Sequence, residues 1–419
     1  MKTFRAVGVI GLASLVLAAC GAPETVPSDK DELLFIRHAS GVAAVDAGAS
    51  APAFSRRGAL PSGDWSTFVR ATINDGRTRV AAENSTTGRV RWERILPGRF
   101  YLKAASRDGS LVALGPRGER NYGLGRATTL LTIIDAHELE PQTLELSGNF
   151  EPEAFSTDGR SLFVVKYLPA RAPTRYQVRM VDIATGREQP VYTPDAHLQT
   201  AMGGTARIQA ASPEGDRLYT LYTLLGAGDA AHAFIHVLDL DGKWAHCIDL
   251  PGGFTQGAET KTALAVSPDG HDLYVGNAAT ATVAKIDTRE LAVTGTGDVF
   301  FGVGGRARAA HGPGSTVVFG SGRRITAIDA ADLSERRTWD FAGEVKGIQV
   351  TRESPAVYVG LRDRIHVVDV ASGERVRSFD PPGVGAIHEF GPVMPSPPDA
   401  ARRTGGCACV KGGPSPARA

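Results

Sequence analysis

Cysteine, methionine and tryptophan are scarce, with only four of each in 419 residues. Cys407 and Cys409 form a Cys-x-Cys pair near the C-terminus, Cys247 stands alone, and Cys20 lies near the start. A metal centre needs more ligands held at defined geometry than any one stretch supplies. The ten histidines are scattered, and no histidine ring or Ser-His-Asp constellation stands out. His232 and His236 have the spacing of a helical metal pair. His236, however, lies in a strand pattern, where four residues separate side chains by about 13 Å. A surplus of charge of one sign is missing too: the formal net charge is +1, so nothing pulls the chain toward nucleic acid or an anionic surface. The apolar run from Ala6 to Leu17, about a dozen residues, is too short to span a bilayer. No cofactor is implied by any of these features.

Turn-forming residues are abundant, with 49 glycines and 25 prolines, and 42% of the chain is hydrophobic. They are arranged in a repeat. Its clearest copy runs from Thr262 to Gly295: a strand, a Ser-Pro-Asp-Gly turn, a second strand, a third strand ending at Asp287, and a fourth. Four short antiparallel strands in about 45 residues make one blade of a β-propeller. Apolar alternation running into Asp or Asn marks the end of the third strand at Asp46, Asn84, Asp135, Asp182, Asp239, Asp287, Asp329 and Asp369. Such residues accept hydrogen bonds from backbone amides just beyond them, so they are read as structural. Second strands starting near Leu33, Ser66, Leu111, Leu162, Leu218, Leu273, Thr316 and Ala356 give the same count. The turn before them recurs as Ser-x-x-Gly at Ser106, Ser156, Ser212 and Ser267, and in weaker form near Pro61, Gly312 and Arg352.

The expected fold is thus all-β, a single propeller of four-stranded antiparallel blades with eight units. Seven is the alternative, because the unit between Ala43 and Gly63 is short. Gly385 to Phe390 reads as an innermost strand with no second strand after it, whereas the first strand of the chain lacks an innermost neighbour. Circular closure solves both problems, the C-terminal strand completing the blade begun at the N-terminus and removing open edges. The propeller is placed at residues 32–390. Residues 391–419, rich in Pro, Gly, Ala and Arg without periodicity, are read as a disordered tail.

The N-terminus carries an address. Lys2 and Arg5 precede the apolar run, which ends in Leu17-Ala18-Ala19-Cys20-Gly21. That stretch resembles the lipobox of bacterial lipoproteins. The resemblance implies a signal peptide over residues 1–19 and a lipid on Cys20, the new first residue, followed by a flexible tether over 20–31. The lipid would hold the chain at the extracytoplasmic face of the membrane without a spanning helix.

Between about Leu33 and Phe390 the chain resembles the YVTN/YncE-like and WD40-like bacterial β-propellers. The resemblance rests on Ser267 to Asn277, the turns after Asp182 and Asp369, and the blade period. It implies a fold and leaves function open, since such propellers include lactonases, quinoprotein dehydrogenases, scaffolds and partner-binding modules. Ala82 to Trp92 resembles the tryptophan-docking repeat of quinoprotein dehydrogenases, with Asn84 in place of Asp. There the repeat clasps neighbouring blades. The reading that follows is a lipid-anchored binding scaffold of the cell envelope, probing a protein, glycan or small ligand as a monomer. The alternative is a propeller enzyme, a lactonase or hydrolase or a quinone-dependent dehydrogenase, with its site at the channel mouth. Candidate ligand contacts are the basic residues Arg207, Lys261, Arg306, Arg308 and Lys346, placed where innermost strands open onto the channel. The competing reading is that they are solvated strand ends paired with Glu151, Glu153 or Glu344.

Overall fold

In the computed structural model the described residues are 32–48, 51–115, 125–138, 140–194, 202–224, 231–257, 259–312, 314–352, 354, 356–381 and 383–395. Residues 1–31, read above as signal peptide and tether with Cys20 between them, and the Cys407/Cys409 pair lie outside them. Among the described residues, eight four-stranded antiparallel sheets form an eight-bladed β-propeller. Blade 1 joins Glu32–His38, Gly41–Asp46 and Ala51–Arg57 to the C-terminal strand Ile387–Pro395, which lies innermost. The other seven follow in chain order from inside out, beginning at Ala59, Tyr101, Asn149, Thr205, Thr262, Arg308 and Gly347. The short unit near Ala43 is a full blade once the C-terminal strand is added. That strand continues past Phe390 to Pro395, pairing Leu34 with Val393 and Glu32 with Pro395. A bulge at Gly391 and Pro392, opposite Phe35, hides its periodicity in the sequence.

The repeated turn residues do what their chemistry dictates. Ser106 Oγ donates to Asp108 Oδ1 over 2.8 Å, and that oxygen also accepts the Ser110 N–H. The same lock closes at Ser156 with Asp158 and at Ser267 with Asp269. The Pro61-Ser62-Gly63-Asp64 turn folds in the same way, Ser62 donating to Asp64 Oδ1 over 2.8 Å. Trp65 then takes the left-handed position, φ 59°, that Gly109 occupies in the next blade. Each third-strand Asp or Asn ends its strand, and Asn84, Asp135, Asp182, Asp239, Asp287, Asp329 and Asp369 accept backbone N–H groups of the following turn; Asp287, for example, caps Arg289 and Glu290.

Apolar side chains gather between blades, and every neighbouring pair has its own core. Leu221, Ile235, Val275 and Ile286 fill the space between blades 5 and 6. Leu34, Ile36, Tyr358, Ile387 and Phe390 do so between blades 8 and 1. Hydrogen bonds cross the same seams: the Tyr274 hydroxyl donates to the Ala330 carbonyl over 2.9 Å. At the closing seam Tyr358 donates to Glu32 Oε2 over 2.9 Å, while the Arg352 N–H donates to Glu32 Oε1 over 2.8 Å. The Ala82 to Trp92 stretch also clasps its neighbour, Trp92 Nε1–H donating to the Gly109 carbonyl over 3.2 Å.

Candidate functional site

Innermost strands line the axis of the ring, and four of them are irregular. In blades 3, 4 and 5 the register against the second strand slips by one residue, leaving Lys103, Glu153 and Arg207 as the extra residues. In the closing strand of blade 1 another slip leaves His388. A bulge re-aims the inserted side chain, and bulges collect where a strand meets a functional surface. These four inserted residues are ionisable, unlike Gly391 and Pro392 at the other bulge of the closing strand, and the innermost strands of blades 2, 6, 7 and 8 keep regular register.

Glu153 differs from the others in its surroundings. Its Oε1 accepts from the Gln209 side-chain amide over 3.1 Å, and that amide also donates to the Thr220 hydroxyl over 3.0 Å. Oε2 is enclosed and has no hydrogen-bond partner. The side chain as a whole is half-buried, because part of it borders the channel, but the unpartnered oxygen is shut away. Burial raises the carboxyl from the ordinary 4.5 to about 7, with the Gln209 hydrogen bond opposing. Beside it, burial pushes the hydroxyls of Tyr176 and Tyr222 well above the usual tyrosine range, with the Glu153 charge adding to the rise. The two rings stack at 5.1 Å. Burial also pulls His236, edge-on to Tyr222, down to about 4.

Glu153 lines a cleft of about 740 Å³ bounded by blades 1 to 5 near the end carrying the Ser-x-Asp-Gly turns. The neighbouring charges are committed elsewhere. Lys103 pairs with Glu151 at 3.0 Å, and Arg107 with Glu214 at 3.7 Å. Arg37 lies 4.0 Å from Glu389 and stacks over the Trp65 ring at 5.5 Å. Asp158 is exposed; partial desolvation works against its charge, but Lys243, Ser156 and the Arg160 N–H more than compensate and hold it down at about 2.

The basic residues singled out by the sequence fall mostly at the other end. Lys261, Arg306, Arg308 and Lys346 sit at the starts of the innermost strands of blades 6, 7 and 8. Arg308 donates to the carbonyls of Lys346 (2.8 Å) and His388 (2.6 Å), and burial pulls it down to about 10, still cationic at neutral pH. Lys346 pairs with Glu344 at 2.6 Å, and Lys261 donates to the Gly305 carbonyl over 3.0 Å. Arg306 is exposed. Arg207 occupies its bulge, and its side chain lies outside the described residues. Four candidates thus share one end of the channel, three of them fastened to carbonyls or a carboxylate. Sequence reasoning named Glu153 only as a possible counter-ion. The available signal was Pro152 inside a strand, since proline within a sheet marks an edge or a bulge.

Fold and site together define an eight-bladed propeller with an ionisable cleft on its axis. No family model matches the chain, and no curated protein sequence does. Among solved structures it is similar to apo AztD from Citrobacter koseri, with a TM-score of 0.55 at 12% identity over 87% of this chain and 98% of that one. Also similar are the dihydro-heme d1 dehydrogenase NirN in complex with DHE (0.48, 14%, 89% and 77%) and Kuenenia stuttgartiensis hydrazine synthase (0.43, 14%, 76% and 99%). Identities this low speak for the fold alone.

Proposed function

We propose that the chain is a lipid-anchored binding propeller of the bacterial cell envelope, held by an acylated Cys20 and taking its ligand into the axial cleft. The observation that carries the binding role is the unpartnered Glu153 carboxylate oxygen in a cleft whose other charged side chains are already engaged. A carboxylate oxygen left without a partner in the wall of a cleft suits a complementary donor. Covalent chemistry needs a positioned nucleophile or a second proton carrier, and Asp108 and Asp158, locked in their turns, are held ionised. The Leu17-Ala18-Ala19-Cys20 sequence supports the anchor, and the propeller then stands in the extracytoplasmic space on its tether.

Fractionation of cells producing the wild-type chain or Cys20→Ala, followed by crosslinking in intact cells, tests this reading. The wild type should sediment with membranes and Cys20→Ala should be released, losing envelope neighbours that the wild type captures. Retention of Cys20→Ala in the membrane with the same neighbours would contradict the anchor.

A further inference from the structure

We infer that the axial cleft is a site for a small organic cation, the half-buried Glu153 side chain turning its enclosed Oε2 outward to meet the N–H donors while the carbon body rests on Ala104, Ala210 and Leu218. This rests on the binding reading above and names the ligand class for that cleft. Each step follows from the donor set. The free acceptor is one carboxylate oxygen in an enclosed position, and the other oxygen is held by Gln209. A hard divalent ion needs six or more oxygen ligands and zinc needs three or four donors, so one carboxylate beside an amide suits neither. An anion would meet the Glu153 charge, and the cleft cations that could offset it are spent on Glu151, Glu214 and Glu389. An alkylammonium supplies what is missing: charge, donors and an apolar body for the alanine and leucine lining.

Titration offers a signature. The groups facing Glu153 are Gln209 of blade 5, the Tyr176 and Tyr222 hydroxyls, and the Lys103–Glu151 pair, with His236 behind Tyr222 and His137 elsewhere on the cleft wall. The tyrosines stay neutral across the physiological range, and so does His236. A carboxyl titrating at about 7 is roughly half protonated at neutral pH. Binding an ammonium group favours the carboxylate and releases that proton to the buffer.

Calorimetry on the full chain at pH 7, in two buffers of different ionisation enthalpy, tests the inference with n-butylammonium, butyramide and butyrate as probes. The expected result is that n-butylammonium binds with proton release and that the other two do not. Glu153→Gln should weaken n-butylammonium at least tenfold and abolish the proton release, while Arg306→Gln, at the other end of the channel, leaves both unchanged. Should Glu153→Gln fail to fold, Gln209→Ala serves, with several-fold weaker binding expected. Failure of n-butylammonium to bind, preference for butyramide or butyrate, or unchanged binding in Glu153→Gln would each overturn the inference. The envelope reading is decided separately by the behaviour of Cys20→Ala.

Discussion

Glu153 and His236 lie a few side chains apart and pull stability in opposite directions with pH. Glu153 binds its proton more tightly in the folded chain, so its contribution is present below about 4.5 and is lost as pH rises through about 7. His236 binds its proton less tightly, so its contribution is present above about 6.5 and is lost as pH falls through about 4. Glu153→Gln should therefore raise the melting temperature at pH 8 by roughly 1–3 °C and leave it nearly unchanged at pH 4.5. Calorimetric scans at the two pH values check this, and an equal shift at both would contradict it. Little of this was legible in the sequence. Glu153 and Glu151 look alike in Asn-Phe-Glu-Pro-Glu-Ala-Phe, and only the bulge after Pro152 gives one of them Lys103 and Arg126 and the other an amide. Pairing across blades depends on the ring, and no local pattern records it.

Strands and turns were legible because their signals are local. The Asp at each third-strand end, the Ser-x-Asp-Gly turns and the period-two alternation each report on a few neighbouring residues. Weak copies were legible in position but not in geometry: nothing in Asp64-Trp65-Ser66 announces a tryptophan at φ 59°. The closing strand shows how tightly elements fit. A Cβ on Gly360 would lie 2.5 Å from the Phe390 ring. Gly360→Val should therefore destabilise the chain by about 1–3 kcal/mol by overpacking the seam between blades 8 and 1. Tyr358→Phe at the same seam removes one of the two hydrogen bonds to Glu32 described above and should cost about 1–2 kcal/mol. Urea midpoints of both variants check these values.

At the scale of the whole molecule all eight blades of the described ring are four-stranded, because the last strand to be made completes the first blade. That closure was foreseen from an innermost strand left over at one end and a missing one at the other. Removing residues after Gly383 strips the innermost strand from blade 1 and deprives blade 8 of its Phe390 contact. The truncated chain should melt well below the full chain, in a broader transition, and expose an edge prone to association. A truncation that melts like the intact chain would mean that closure contributes little. What the repeat could not reveal is where the ring departs from itself. The bulges in blades 3, 4 and 5 border a cleft at one end of the channel, where Glu153 keeps an oxygen without a partner, while fastened cations collar the other end.

The most direct test of this account is a carbon-13 NMR pH titration of the glutamate carboxyls in the unliganded full chain, with Glu153→Gln assigning the resonance. The account predicts a Glu153 midpoint near 7, from an enclosed carboxyl with one oxygen left without a partner. A midpoint in the ordinary glutamate range would mean that the oxygen is solvated or paired, and the axial cleft would lose its claim to be the binding site.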